Sequence, residues 1–166
     1  MPIDWAAVAA RLDGARIYWL AVLDRRGAPR TFPRWGVVLN GALYFYVDGA
    51  TGAALDLWRD PRIAINLEDG ENPVLVRGTA KPVGRPTELP EIVAAFSAKY
   101  VDADDSRFPN TTPGPADYIY MVTPTWALFT EEAEARAAHQ ISRLKRDPRV
   151  RIWNPKETSA THSLES

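Results

Sequence analysis

Residues 16–68, RIYWLAVLDRRGAPRTFPRWGVVLNGALYFYVDGATGAALDLWRDPRIAINLE, decide how the chain is read. The stretch divides into apolar, β-rich runs separated by turn residues, with one short helical segment before the last run. Asp24-Arg25-Arg26-Gly27 lies between Val22 and Thr31 and ends in the residue that best tolerates positive φ, which predicts a hairpin. Asn40-Gly41 is a sharper signal. Between Gly36–Leu39 and Ala42–Val47 it suits a type I′ turn, whose two central residues both need φ above zero. Asp48-Gly49-Ala50-Thr51-Gly52 then breaks the strand pattern and opens a short helix, Ala53 to Arg59. Asp60-Pro61 stops that helix, because proline clashes with a helical residue before it, and a strand follows over Ile63–Leu67.

Outward from this stretch, Asp4 caps a predicted helix to about Leu12, with Val8, Arg11 and Leu12 near one face, lidding one end of the sheet. Pro73–Val83 alternates as a strand, and Gly78 inside it predicts a bulge or a close backbone approach. Thr87 is read as the start of a helix whose stripe, Leu89, Ile92, Val93, Phe96 and Tyr100, packs on the sheet. Residues 101–116 read as a long polar loop over the site, and Tyr118–Phe129 as a strand kinked at Pro124. Thr130 caps a predicted last helix at about 131–146, and Asp147-Pro148 echoes Asp60-Pro61 as a helix stop before a strand start. The expected organisation is one domain over residues 1–153 and a flexible tail over 154–166.

The fold class expected from these elements is mainly β with peripheral helices: a barrel of about six mostly antiparallel strands. Most links are too short for parallel crossovers. A chain of 166 residues with 46% hydrophobic content buries its own core. The formal net charge of −1 gives no basis for a nucleic-acid groove or an anionic membrane partner. With no cysteine, disulfides, thiolate metal sites and a cysteine nucleophile are excluded. With only His139 and His162, no histidine-rich metal site is expected. Met1–Trp5 carries no secretory pattern and no run is long enough to span a bilayer, so a cytoplasmic location is expected.

Trp19-Leu20-Ala21-Val22, Gly27-Ala28-Pro29-Arg30, Pro33-Arg34-Trp35-Gly36-Val37, Ala42-Leu43-Tyr44-Phe45, Leu57 with Asp60-Pro61-Arg62, Gly78-Thr79-Ala80 and Ala98-Lys99-Tyr100 occur in an order and spacing that resemble a known family. That family is the flavin-binding split barrels related to pyridoxamine 5′-phosphate oxidase, including a deazaflavin-using branch. The resemblance covers roughly residues 5–129. It implies an FMN-binding type of split β-barrel, a homodimer with the ligand groove between subunits, and redox chemistry belonging to the cofactor.

The same resemblance implies a set of cofactor-binding positions. Pro33, Arg34 and Trp35 match the strand lining the flavin ring, and Tyr46 and Val47 match the end of the next strand. Thr51, Gly52 and Ala53 match the phosphate-facing helix start. A hydroxyl and free backbone N–H groups there form an anion site on physical grounds also, with an ordinary helix cap as the alternative for Thr51. Trp35, Trp58 and Trp126 are candidate stacking platforms, and Trp126 is included among the cofactor-binding residues. No catalytic side chain and no metal ligand is expected.

One departure divides the functional reading. Ala53 and Leu55 stand where the family places a lysine and often an arginine, so the phosphate charges are missing unless Arg34, Arg77 or an arginine of the partner subunit supplies them. The leading expectation is a flavin-dependent oxidoreductase, using FMN or alternatively deazaflavin to move a hydride to or from a small planar or unsaturated substrate. The alternative is a cofactor-free barrel that binds a hydrophobic small molecule or rearranges it by positioning.

Overall fold

The computed structural model describes residues 4–70, 72–101, 113–130 and 150–153. Helix α1 (Trp5–Asp13) starts where the Asp4 carboxylate accepts from Ala6 N at 3.2 Å. Its Trp5 indole donates to Gly41 O at 2.7 Å, pinning the helix to a hairpin turn. The strands are β1 (Tyr18–Leu23), β2 (Pro29–Arg34), β3 (Gly36–Leu39), β4 (Ala42–Asp48), β5 (Arg62–Leu67), β6 (Val74–Gly84), β7 (Asp117–Thr130) and β8 (Val150–Trp153). Helix α2 (Gly52–Arg59) lies between β4 and β5, and α3 (Pro90–Lys99) follows β6.

All pairings among the described strands are antiparallel. The path runs β2-β1-β5-β6-β7-β4-β3, with β8 added on β7, so the sheet has eight strands rather than about six. The extra strands arise because β2 and β3 sit at opposite ends of the path although only Trp35 separates them in sequence, and because the strand start after Asp147-Pro148 does form a strand. A sheet whose two ends are joined through one residue must curl, which is the split-barrel architecture expected from the sequence.

The turns are as the sequence predicts. Asn40 and Gly41 have φ of 51° and 76°, and Gly27 has φ of 79° in the β1–β2 turn. Gly78 marks a register shift, with Arg77 opposite Trp126 but Gly78 opposite Pro124. A Cβ at Gly78 would lie 2.2 Å from Thr123 O, so only glycine permits this approach of β6 to β7.

Alternation on β1 sends Tyr18, Leu20 and Val22 inward, where they meet Phe45 and Val47 of β4, Ile63 and Ile65 of β5, Val76 of β6 and Tyr120 and Val122 of β7. Val8 and Leu12 of α1 and Ala53, Ala54 and Leu57 of α2 complete this core. A second cluster forms on the other face, where Ile92, Phe96 and Tyr100 pack against Val37, Tyr46 and Ile119.

The stripe on α3 is therefore used as read, but its start is corrected. Thr87 lies in a single 3-10 turn, Pro86–Glu88, and α3 begins only at Pro90. Proline at the first helical position supplies a preset φ and needs no N–H partner, so it nucleates the helix in place of a threonine cap. The predicted helix at 131–146, the tail from 154 and loop residues 102–112 lie outside the described residues.

Candidate functional site

The site begins at the corner between β2 and β3. Gly36 N donates to Tyr100 Oη at 2.9 Å, and that hydroxyl lies 2.8 Å from both Arg16 O and Gly36 O, either of which can take its single proton. The residue that caps the C-terminus of α3 thus clamps the corner that carries Trp35. Arg34 and Trp35 project from it toward the ends of β4 and β7. Together with Tyr46, Val47, Asp48 and the segment Gly114–Asp117 they enclose a cleft of about 380 Å³. A smaller, more apolar recess of about 280 Å³, lined by Ile17, Pro33, Arg34 and Trp35, adjoins it through the two shared residues. Such volumes lie at the lower end of the range for small-molecule sites.

The charges in the cleft are coupled. Burial pulls the Arg34 guanidinium below its ordinary value, with Tyr46 and Asp117 opposing that shift. Burial, reinforced by Asp117, pushes the Tyr46 hydroxyl up, so it is a neutral donor at neutral pH. Asp117 is also raised, first by burial and then by the neighbouring Asp48 carboxylate, while the hydrogen bond from Gly114 N at 2.6 Å and Arg34 hold it down. Arg34 further stacks over Phe32 at 4.7 Å, which fixes the direction of its fork.

Along one face of β2, Arg30, Phe32 and Arg34 follow one another, because side chains two apart in a strand point the same way. Arg30 reaches the start of α2. A Cβ on Gly52 would lie 3.0 Å from Arg30 Nη1, so the glycine leaves room for the guanidinium. Asp56, one turn into α2 and only 7% exposed, takes Arg30 on one oxygen at 3.3 Å and Arg59 on the other at 2.9 Å.

Thr51 serves as the cap of α2. Its hydroxyl donates to Asp48 O at 2.7 Å and accepts from Ala54 N at 3.4 Å. Ala53 puts its methyl into the core and Leu55 is 63% exposed. The structure therefore brings together Pro33, Arg34, Trp35, Tyr46 and Val47, with Thr51, Gly52 and Ala53 just beyond Asp48 on the following helix start.

Trp126 is elsewhere. It lies opposite Arg77, whose guanidinium covers its ring at 4.1 Å, and is eight residues from Tyr118 along β7, on the order of 25 Å at a strand's rise. Arg77 is thus committed to Trp126, and Arg30 is the arginine that meets α2. Trp58 is 60% exposed and meets Tyr118 edge-on at 6.2 Å. Asp48 and Asp117 in the cleft, and Arg30 and Asp56 beside α2, are residues that sequence reasoning did not single out as part of a site. Alternation along β2 was the available signal for Arg30; the others depend on pairings distant in sequence.

With this geometry established, the family can be compared directly. The sequence profile described as Pyridoxamine 5′-phosphate oxidase matches residues 5–131. The chain belongs to the pyridoxamine 5′-phosphate oxidase family. Comparison with curated proteins finds no match. Among solved structures, the conserved protein Rv2991 of Mycobacterium tuberculosis is similar, with 18% identity, TM-score 0.60 and coverage of 95% of this chain and 88% of that one. A protein described as an F420 reductase is 21% identical, with TM-score 0.54 and coverage of 76% and 98%. A heme binding protein of Mycobacterium smegmatis is 20% identical, with TM-score 0.59 and coverage of 89% and 70%. At these identities the likeness carries the fold alone, and the descriptions of the last two structures name different ligands, F420 and heme. Among the described residues, no helix is long and apolar enough to cross a membrane.

Proposed function

We propose that the protein is a homodimeric oxidoreductase that holds a flavin ring, FMN or deazaflavin, in the cleft between β2–β3 and the ends of β4 and β7. The observation that carries this reading is the convergence of Arg34, Trp35, Tyr46 and Val47 on one cleft of about 380 Å³ beside a helix start. The ring half of the site fits. Trp35 offers an aromatic wall, and Arg34 and neutral Tyr46 offer donors to ring carbonyls. The phosphate half fits less well, because α2 has no basic residue in its first turn and Arg30 is shared with Asp56.

When bound, the cofactor supplies hydride transfer to or from a small planar or unsaturated substrate. The chain's own part is to orient the ring, to exclude water with the Gly114–Asp117 wall, and to hold Arg34 beside it.

The test is titration of the purified protein with FMN and with a 5-deazaflavin, following tryptophan fluorescence, alongside light scattering. Quenching that is largely lost in Trp35→Phe, on a dimer, supports the reading. A monomer with no quenching by either compound would contradict it. The second reading, a cofactor-free barrel binding a hydrophobic small molecule, draws its support from Asp56, which occupies the arginine nearest the helix start.

A further inference from the structure

We infer that Asp56 determines which form of ligand the site accepts: by engaging Arg30 and Arg59 beside the start of α2, it withholds both guanidiniums from an anion there, so that a ring with an uncharged polyol tail is taken as readily as one with a phosphorylated tail. The inference rests on the flavin reading above and deepens it.

The argument starts from burial. Asp56 is 7% exposed, whereas the side chains of Arg30 and Arg59 are 48% and 45% exposed. A buried carboxylate loses its hydration and depends on its counter-charges, while a phosphate at the mouth of the cleft stays partly in water. Arg30 is thus more strongly required by Asp56 than by an incoming anion. The geometry agrees, since the two carboxylate oxygens each engage one guanidinium, at 3.3 Å for Arg30 and 2.9 Å for Arg59.

The surroundings add to this. Asp48 and Asp117 line the same cleft, and Arg34 is the cationic residue lining it. Thr51 has already given its proton to Asp48 O. A dianion at the helix start would therefore meet Arg30 and Arg59 already engaged by Asp56, and on the cleft side it would meet the carboxylates Asp48 and Asp117 opposed by Arg34. Polyol hydroxyls, in contrast, donate to carboxylates and accept from helix-start N–H groups without needing a net positive field.

The experiment compares the dissociation constants of riboflavin and FMN for the wild-type protein and for Asp56→Asn, by tryptophan and flavin fluorescence. The wild-type constants are expected within about threefold of each other, and Asp56→Asn is expected to tighten FMN relative to riboflavin by about tenfold or more, by releasing Arg30. A cooperative thermal transition certifies that the variant is folded. FMN binding more than about thirtyfold tighter than riboflavin to the wild type overturns the inference and upholds the flavin reading. A folded Asp56→Asn that gains nothing for FMN overturns the role of Asp56. Binding of neither flavin to the wild type overturns the inference and the flavin reading together. Should Asp56→Asn fail to fold, the wild-type ratio decides alone.

Discussion

Lys99 Nζ donates to Tyr18 Oη across 2.8 Å, and Tyr18 in turn donates to Leu12 O at 2.6 Å, so the end of α3, the first strand and the end of α1 meet in one polar chain inside an apolar junction. Burial lowers the Lys99 amine from 10.5 to about 8. Between those values the folded protein binds fewer protons than the unfolded chain, so stability rises with pH across that window. The tyrosines act in the opposite sense. Burial raises Tyr18 and Tyr100, the latter to about 12, so the stability they lend is complete below their unfolded value of 10.0 and is lost as pH climbs toward the folded one. Urea denaturation from about pH 7 to pH 11 should show a rise and then a fall. In Lys99→Met the rise, about 1 kcal/mol after allowance for partial exposure, should vanish while the fall remains. An unchanged rise would remove Lys99 as its source.

Arg34 is the cleft cation whose removal should separate binding from folding. It is half-buried, stacks on Phe32 at 4.7 Å and donates to Pro33 O at 3.0 Å, but it lies outside both apolar clusters. Arg34→Ala should weaken flavin binding by about tenfold, with stability changed by less than about 1 kcal/mol. Arg34→Lys should recover only part of the affinity, because an ammonium lacks the planar fork. Equal affinity in all three proteins would place the ring elsewhere.

Gly78→Ala tests the bulge. The added Cβ would meet Thr123 O at 2.2 Å and Pro124 Cα at 2.9 Å, both backbone atoms of the neighbouring strand. The strands must then separate or slip, at a cost of about 2–3 kcal/mol in the urea midpoint. A loss below about 0.5 kcal/mol would mean that β6 and β7 do not approach so closely in solution.

Tyr120 gives a prediction of the opposite sign. Its ring stacks on Phe45 at 5.4 Å and its hydroxyl is buried without a hydrogen-bond partner among the described residues. Tyr120→Phe should leave stability unchanged or raise it by up to about 1 kcal/mol, since it removes an unsatisfied group without altering ring packing. Thermal denaturation of the two proteins is sufficient. A marked loss of stability would reveal a partner for the hydroxyl.

Much of this barrel was legible because its determinants are local. Asn40-Gly41, Gly27 and Asp60-Pro61 act through their own φ and ψ, and the alternation of Tyr18, Leu20 and Val22 is a property of one strand. The cleft residues came from the family resemblance and not from local pattern. Arg34, Trp35, Tyr46 and Val47 stand at strand ends beside turns, and they do converge. What escaped was the pairing of charges. Asp56 lies 26 positions from Arg30, and nothing in the short helix Gly52–Arg59 signals that its carboxylate turns toward a strand at the far end of the sheet path. Sequence named Arg77, and not Arg30, as an arginine that could supply the missing phosphate charge. Only the register, which sets Arg77 beside Trp126, distinguishes them.

The placement of β2 at one end of the sheet path has a consequence for solubility. A terminal strand presents unpaired backbone groups to any extended chain that approaches, and β2 is paired only with β1 among the described strands. Its sequence, PRTFPR, interrupts that edge with two prolines that cannot donate and two arginines that resist a second charged strand. Arg30, beside α2, and Arg34, in the cleft, thus also guard the barrel against self-templated assembly. Substitutions made there to retune the ligand also weaken a defence against aggregation, and the two effects must be read separately in any variant of this strand.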